Sequence, residues 1–196
     1  MVLAKRETTR ARGPQRLALA ALLVAIALGS ASAREGTKDP RTKKEYALKA
    51  AFLYNFGNFV TWPAGDGEQD EPFVIAIVGE DPFGPFIDQA LGGKTIKGRK
   101  VRIRRVAGTD GLDGCHVLFV AGLSSSETEE LLDELSGRPV LTVGETERFA
   151  HGGGMIGFHV KGGKIRLQIN RGAAERSGLR LSSKLLSLAE LVEETK

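Results

Sequence analysis

The sequence feature that most limits the fold is a helix that is apolar around most of its circumference. It lies in residues 44–63, KEYALKAAFLYNFGNFVTWP. Residues three or four positions apart form two apolar stripes: Leu48, Phe52, Phe56 and Phe59 in one, and Tyr46, Ala50, Leu53, Gly57 and Val60 in the other. Pro63 ends the helix, because a residue before proline avoids helical angles. Two stripes need cover on more than one side, which predicts a core helix. The alternative is that one stripe meets a partner protein.

The first 33 residues contain the three parts of a secretory signal peptide in the expected order. Five basic residues precede a 12-residue apolar run at positions 17–28, and Ala31-Ser32-Ala33 provides a cleavage site. The apolar run is short for a hydrocarbon core of ~30 Å, although an uncleaved N-terminal anchor is the alternative. We therefore predict export and cleavage after Ala33. Residues 34–43 are then a flexible mature N-terminus, and residues 44–196 form one domain.

The predicted signal peptide accounts for the positive charge of the chain. The whole chain has 28 Lys and Arg against 24 Asp and Glu, and its first 33 residues hold five of the basic residues and one of the acidic residues, which leaves 23 of each. A neutral mature chain has no net basic field to attract phosphate groups. The sequence therefore predicts no nucleic-acid partner.

The centre of the mature chain has the pattern of a parallel sheet covered by helices. Residues 73–78 and 115–121 are continuous apolar runs, which are typical of strands buried on both faces. Residues 101–106 alternate and indicate a half-exposed strand near the sheet edge, and residues 139–143 form a fourth strand. Between the strands we expect two helices, one with Asp81 as cap and Pro82 in its first turn and one opened by a Ser126–Glu129 capping box.

The sequence pattern of the C-terminal third predicts an antiparallel hairpin and two helices. Residues 155–160 and 165–170 flank the turn sequence KGGK, whose glycines can adopt positive φ angles. A short helix at residues 173–177 precedes Gly178, and a last helix runs from Ser182 or Ser183 to about Val192. The fold class is therefore α/β, a single domain whose mostly parallel central sheet is flanked by helices, with a C-terminal antiparallel hairpin.

Catalytic and metal-binding patterns are weak throughout the sequence. The three histidines lack the i, i+4 spacing of helical zinc ligands, and the single Cys115 cannot form a thiolate site or an intramolecular disulfide. Cys115 precedes an apolar run, which favours a buried, inert thiol. Glycines 152–154 favour a flexible hairpin entry over an anion cradle. We predict no catalytic residues, metal or cofactor. A hydrolase that uses His151 and a serine of 124–126 is the weakest alternative.

Several segments together resemble one family. They are AAFLYNF at 50–56 followed by Trp62-Pro63, GCHVLF at 114–119, GGMI at 153–156, QIN at 168–170 and RSGLRLSSKLL at 176–186. In order and spacing they are similar to the YfiR-like periplasmic proteins, over about residues 45–190. The resemblance implies a periplasmic, non-catalytic regulator. Such a regulator binds the periplasmic sensor domain of an inner-membrane diguanylate cyclase and represses it, so that cyclic di-GMP and biofilm formation stay low.

The resemblance also implies further partners. An outer-membrane lipoprotein sequesters the repressor in the best-known system, and other members are associated with histidine kinases or TonB-type receptors. A periplasmic small-molecule binding protein that serves a transporter, a TonB-type receptor or a histidine kinase is the alternative function. The named repressor depends on intramolecular disulfides, whereas this chain has only Cys115. Its stability therefore comes from packing or from a homodimer.

The resemblance and the residues together predict two binding regions. The ligand-binding residues are Asn170, Arg176, Arg180 and Ser182. Arginine forks there suit a carboxylate, although Asn170 could instead cap a helix and the arginines could be solvated helix-end charges. The partner-binding residues are Phe59, Trp62 and Pro63, because exposed aromatic anchors are enriched at interfaces.

Overall fold

The structure is a computed structural model that describes residues 40–63 and 70–195. The predicted signal peptide and residues 34–39 lie outside this part of the chain. The described helices are α1 (Pro40–Phe59), α2 (Pro85–Leu91), α3 (Ser125–Glu134), α4 (Arg171–Arg176) and α5 (Ser183–Leu186). The described strands are β1 (Val60–Thr61), β2 (Phe73–Gly79), β3 (Thr95–Ile96), β4 (Arg99–Val106), β5 (Cys115–Ala121), β6 (Leu141–Gly144), β7 (Ile156–Lys161), β8 (Lys164–Ile169), β9 (Arg180–Leu181) and β10 (Ala189–Leu191).

Within the described residues, eight strands form one sheet in the order β10-β8-β7-β6-β5-β2-β4-β3. The neighbours from β7 to β4 are all parallel. At one side β8 returns antiparallel to β7 through Gly162 and Gly163, whose φ angles are 60° and 71°. These positive angles are those of a tight hairpin turn that glycine adopts without strain. The predicted α/β fold, with its mostly parallel sheet and C-terminal hairpin, is confirmed.

The sheet has an apolar core on each face. On one face Ile75 and Ile77 belong to the core that contains α1, and on the other Ala76 and Val78 belong to the core that contains α3. Because both faces are covered, six consecutive residues of β2 are buried. β4 is only partly buried, since it lies beside the two-residue edge strand β3. The predicted placement of this half-exposed strand near the edge is confirmed.

Helix α1 is a core helix, as predicted, but its boundaries differ. Leu53, Phe56 and Val60 are all 0% exposed, and a Cβ on Gly57 would lie 2.8 Å from Ile96 Cδ1. The helix begins at Pro40 rather than Lys44, so it includes residues predicted to be a flexible N-terminus. It ends at Phe59, and the chain then enters β1 before reaching Pro63. Pairing with β9 therefore ends the helix before the proline does.

The two central helices are capped at residues other than those predicted. The sequence SSSETE at 124–129 offers the capping box in two registers, and the structure uses Ser124 with Glu127. The earlier register buries Thr128 and Leu131 against the sheet. Asp81 does not cap α2; its Oδ1 accepts hydrogen bonds from the N–H groups of Phe83 and Gly84, which orders the turn before Pro85.

The predicted last helix is mostly wrong. α5 ends at Leu186, and residues 189–191 form β10, which pairs in parallel with β8. The leucines at 185, 188 and 191 have helical spacing, but residues 189–191 lie along the free edge of the hairpin, where their main chain pairs with β8. The short α4 and the positive φ of Gly178 (73°) agree with the prediction.

Candidate functional site

A separate two-stranded sheet lies at the C-terminal end of α1. β1 and β9 pair antiparallel, with Val60 opposite Leu181 and Thr61 opposite Arg180. The N–H of Ser182 also donates a hydrogen bond of 2.9 Å to the carbonyl of Phe59. These bonds fix the backbone on both sides of the pair. Two segments about 120 residues apart in sequence are therefore neighbours on the surface.

The side chains around this pair combine apolar and basic groups. Lys184 Nζ lies 5.2 Å from the centroid of the half-buried Phe59 ring, within the range of a cation–π contact. Pro63 and Arg180 are exposed. The structure thus joins two predicted partner-binding residues to two predicted ligand-binding residues. We call this set the ribbon surface: Phe59, Pro63, Arg180, Ser182 and Lys184.

Trp62 does not belong to the ribbon surface, and its prediction as an exposed anchor is wrong. Its side chain is 8% exposed. The indole packs edge-on against Phe73, with ring centroids 5.3 Å apart, and lies 6.0 Å from the ring of His116. Burying this large ring closes the end of the sheet where β2 and β5 begin, which stabilises the core more than exposure would.

Two of the predicted ligand-binding residues are engaged away from the ribbon surface. Asn170 is 2% exposed; its Oδ1 accepts from Ala173 N–H at 2.9 Å and its Nδ2 donates to the carbonyl of Ala150 at 3.0 Å. It is a helix cap, which was the alternative from the sequence. Arg176 forms an ion pair with Glu194. Ser182 Oγ accepts from Leu185 N–H and caps α5.

A buried lysine at the opposite part of α1 was missed by sequence reasoning. Lys49 is 3% exposed, and its Nζ lies 2.6 Å from Glu45 Oε1 and 2.6 Å from Glu145 Oε2. Tyr46 donates its hydroxyl to Glu145 at 3.2 Å, and burial together with the negative charge of Glu145 raises the pKa of Tyr46 well above its usual range. The only available signal was a lysine in an otherwise apolar segment. These pairs join α1 to the end of β6.

A protein-family comparison matches residues 46–190 to a model described as YfiR/HmsC-like. The chain belongs to the YfiR/HmsC-like family. The match includes most of α1, the strands from β1 to β9, among them the hairpin, and the ribbon surface. It ends just before Glu194, the partner of Arg176.

In this YfiR/HmsC-like protein the single cysteine is buried, as predicted. Burial raises the pKa of the Cys115 thiol to about 12, so the thiol stays protonated near neutral pH. Its Sγ lies 3.2 Å from the carbonyl of Val117 and donates to it. A protonated, buried thiol is a poor nucleophile. The prediction of an inert cysteine follows from the same apolar run that forms β5.

The candidate hydrolytic groups of this YfiR/HmsC-like protein have other partners. Ser124 Oγ donates to Glu127 within the capping box, at 2.6 Å, and His151 Nδ1 lies 3.3 Å from the carbonyl of Glu193. Among the described residues, no group of three or more His, Cys, Asp or Glu side chains is placed to hold a metal ion. No helix in the described part of the chain has the length and apolar character needed to cross a bilayer.

The glycine-rich loop before the hairpin is shaped by packing. A Cβ on Gly154 would clash with the ring of Phe149, and so would a Cβ on Gly144. Phe149 is 3% exposed and belongs to the core shared with α3. Gly154 is therefore needed because the backbone passes directly over an aromatic ring.

Proposed function

We propose that this protein is a non-catalytic periplasmic regulator that binds the periplasmic sensor domain of an inner-membrane diguanylate cyclase and represses the enzyme. The observation that carries the proposal is membership of the YfiR/HmsC-like family over residues 46–190. The environment of the polar groups supports it. Lys49 is paired with two carboxylates, and Cys115 is buried and protonated.

The ribbon surface is the proposed contact with the sensor domain. Its backbone is held by pairing between β1 and β9, so binding requires little ordering of the main chain. Lys184 is exposed beside the half-buried Phe59 ring, and Arg180 is exposed on the paired strand β9, opposite Thr61. A surface that combines an apolar ring with two exposed cations fits an acidic partner surface with an apolar centre, and charges of this kind mainly steer association.

The first test measures signalling in cells. Deletion of the gene is expected to raise cyclic di-GMP, and the exported protein used as bait is expected to copurify with a membrane cyclase. An unchanged cyclic di-GMP level together with an altered histidine-kinase output would show that the partner is a kinase and that the cyclase proposal is wrong. If no sensor protein copurifies with the bait and the deletion changes neither signal, the regulatory proposal as a whole is refuted.

The second test locates the surface. The double variant Arg180→Glu/Lys184→Glu is expected to weaken binding to the captured sensor domain by about tenfold or more, because two favourable charges become repulsive. The matched control is Lys161→Glu/Lys164→Glu, which reverses two exposed lysines that face each other at the end of the hairpin. Equal loss of binding in both variants would indicate a general charge effect and would exclude the ribbon surface.

A further inference from the structure

A cavity of about 590 Å³ lies where the parallel strands begin, at the end of the sheet opposite the Lys49–Glu145 pair. Val74 near the start of β2, Cys115 at the start of β5 and Val140 just before β6 line it. Its volume is in the range of small-molecule sites, about 300–1,000 Å³. None of the residues of the ribbon surface lines it. It is therefore a separate place in the fold.

The polar wall of the cavity is rich in arginine. Arg102 and Arg104 are two residues apart on β4, so they project from the same face of the sheet, and Arg138 reaches the cavity from the segment before β6. Arg104 Nη1 is fixed by the carbonyls of Gly111 and Asp113, at 2.5 and 2.9 Å. Arg102 makes no hydrogen bond or ion pair with any other described residue.

Two acidic residues also line the cavity, but they do not neutralise this wall. Glu71 is exposed. The Asp113 side chain is fully exposed, and its Oδ1 lies 3.9 Å from Arg138 Nη2, which is a weak pair. Among the residues that the structure describes, three arginines therefore line the cavity, and one carboxylate, that of Asp113, pairs loosely with Arg138. Guanidinium groups bind carboxylates through paired N–H donors.

The indole of Trp62 adds a donor that lacks a partner. Trp62 lines the cavity and is more than nine-tenths buried, and its Nε1 has no hydrogen-bond partner within the described part of the chain. An unsatisfied buried N–H is costly and rare in folded proteins. The Nε1 atom is itself buried, so a ligand oxygen in the cavity would reach it after a small shift of the ring.

The remaining walls are mostly apolar; His116 also lines the cavity, and its Nδ1 accepts a hydrogen bond from the N–H of Val74. Val74, Leu112 and Val140 are all buried, and Cys115 directs its S–H to Val117. A small inorganic anion would leave these walls uncovered, whereas an organic acid would cover them. We propose that this cavity binds a small carboxylate with an apolar body, whose carboxylate contacts Arg102 and the Trp62 N–H. The proposal does not depend on the regulatory function.

The test uses benzoate as the probe and the indole of Trp62 as the reporter. Trp62 is the only tryptophan of the chain, so the protein has a single indole N–H signal in a ¹⁵N-labelled sample. Benzoate is expected to shift this signal saturably, with a dissociation constant of about 1 mM or below. Benzamide, which has the same ring without the charge, is expected to leave it unshifted.

Two variants test where benzoate binds. Arg102→Gln is expected to weaken benzoate binding at least tenfold, and its exposed position keeps the fold intact. Arg166→Gln changes another exposed arginine, on the hairpin strand β8; it is the matched control and is expected to bind normally. No saturable shift, or equal shifts with benzoate and benzamide, would overturn the proposal. Inorganic phosphate binding as tightly as benzoate would overturn the carboxylate assignment, and unaltered binding by Arg102→Gln would overturn the placement.

Discussion

The Lys49 pairs allow a sharp prediction about charge in the core. Replacing Glu145 by Gln removes one carboxylate and leaves the Lys49 ammonium, whose side chain is 4% exposed, with Glu45 alone. Replacing Lys49 by Met removes the buried ammonium and fills its space with an apolar chain, and the two carboxylates left behind are partly exposed to water. The first change should be much more harmful, because an uncompensated buried charge costs more than a well-packed apolar replacement.

The exposure of the two carboxylates determines how much stability is lost. Loss of one partner of a buried pair costs about 3–5 kcal/mol, but the Glu145 side chain is 21% exposed and Glu45 is 36% exposed, so water and Glu45 compensate in part. We expect Glu145→Gln to lower the free energy of unfolding by about 2 kcal/mol, and Lys49→Met to change it by less than about 1 kcal/mol. For a domain of this size, about 2 kcal/mol corresponds to a fall in Tm of about 4–8 °C.

Urea unfolding followed by circular dichroism measures both values, with the slopes compared to verify two-state behaviour. The double variant Lys49→Met/Glu145→Gln should recover most of the stability that Glu145→Gln loses, since the buried ammonium is then gone and the remaining carboxylate, Glu45, is 36% exposed. If Lys49→Met is as destabilising as Glu145→Gln, or if the double variant is the least stable of the three, the argument from unpaired charge is wrong.

Three further predictions concern single residues. Because the folded-state pKa of Tyr46 lies above its unfolded value of 10.0, its contribution to stability is present below pH 10 and is lost as the pH rises further. The stability of the native protein relative to Tyr46→Phe should therefore be constant up to about pH 9 and fall above pH 10, and an equal difference in urea unfolding on both sides of pH 10 would contradict this. Cys115 should react with a thiol reagent at least about tenfold faster in denaturant than in the native state, and equal rates would show an accessible thiol. Gly154→Ala should lower the free energy of unfolding by about 1–3 kcal/mol through its clash with Phe149. Gly108→Ala, where a Cβ meets nothing within 4 Å, should be nearly neutral, and thermal melts of both variants measure the difference.

The elements best predicted from sequence are those whose signal is local. The apolar runs of β2 and β5 and the KGGK turn of the hairpin follow directly from burial on both faces and from positive φ at glycine. Cap positions were less certain because SSSETE allows two registers and only packing of Thr128 and Leu131 against the sheet selects one. β10 was misread as helix since its partner, β8, is not visible in its own sequence pattern.

The candidate site was predictable only in parts. Arg180 and Phe59 could each be selected for residue type, but their proximity depends on pairing across about 120 residues. Burial of Trp62 and of Lys49 has the same origin, because each depends on which distant residues cover the two ends of α1. Local patterns identify chemistry-bearing residues, whereas tertiary contacts decide which of them remain available.

The pairing of Val60 with Leu181 also has a consequence for biogenesis. Contacts between such distant positions form late, because the intervening loop must first be closed by other structure. An incompletely folded chain would contain both strands of the β1–β9 pair, but they would not yet be paired, so the surface that they form together would be absent. A receptor that recognises this pair would therefore bind fully folded molecules and would not bind incompletely folded ones.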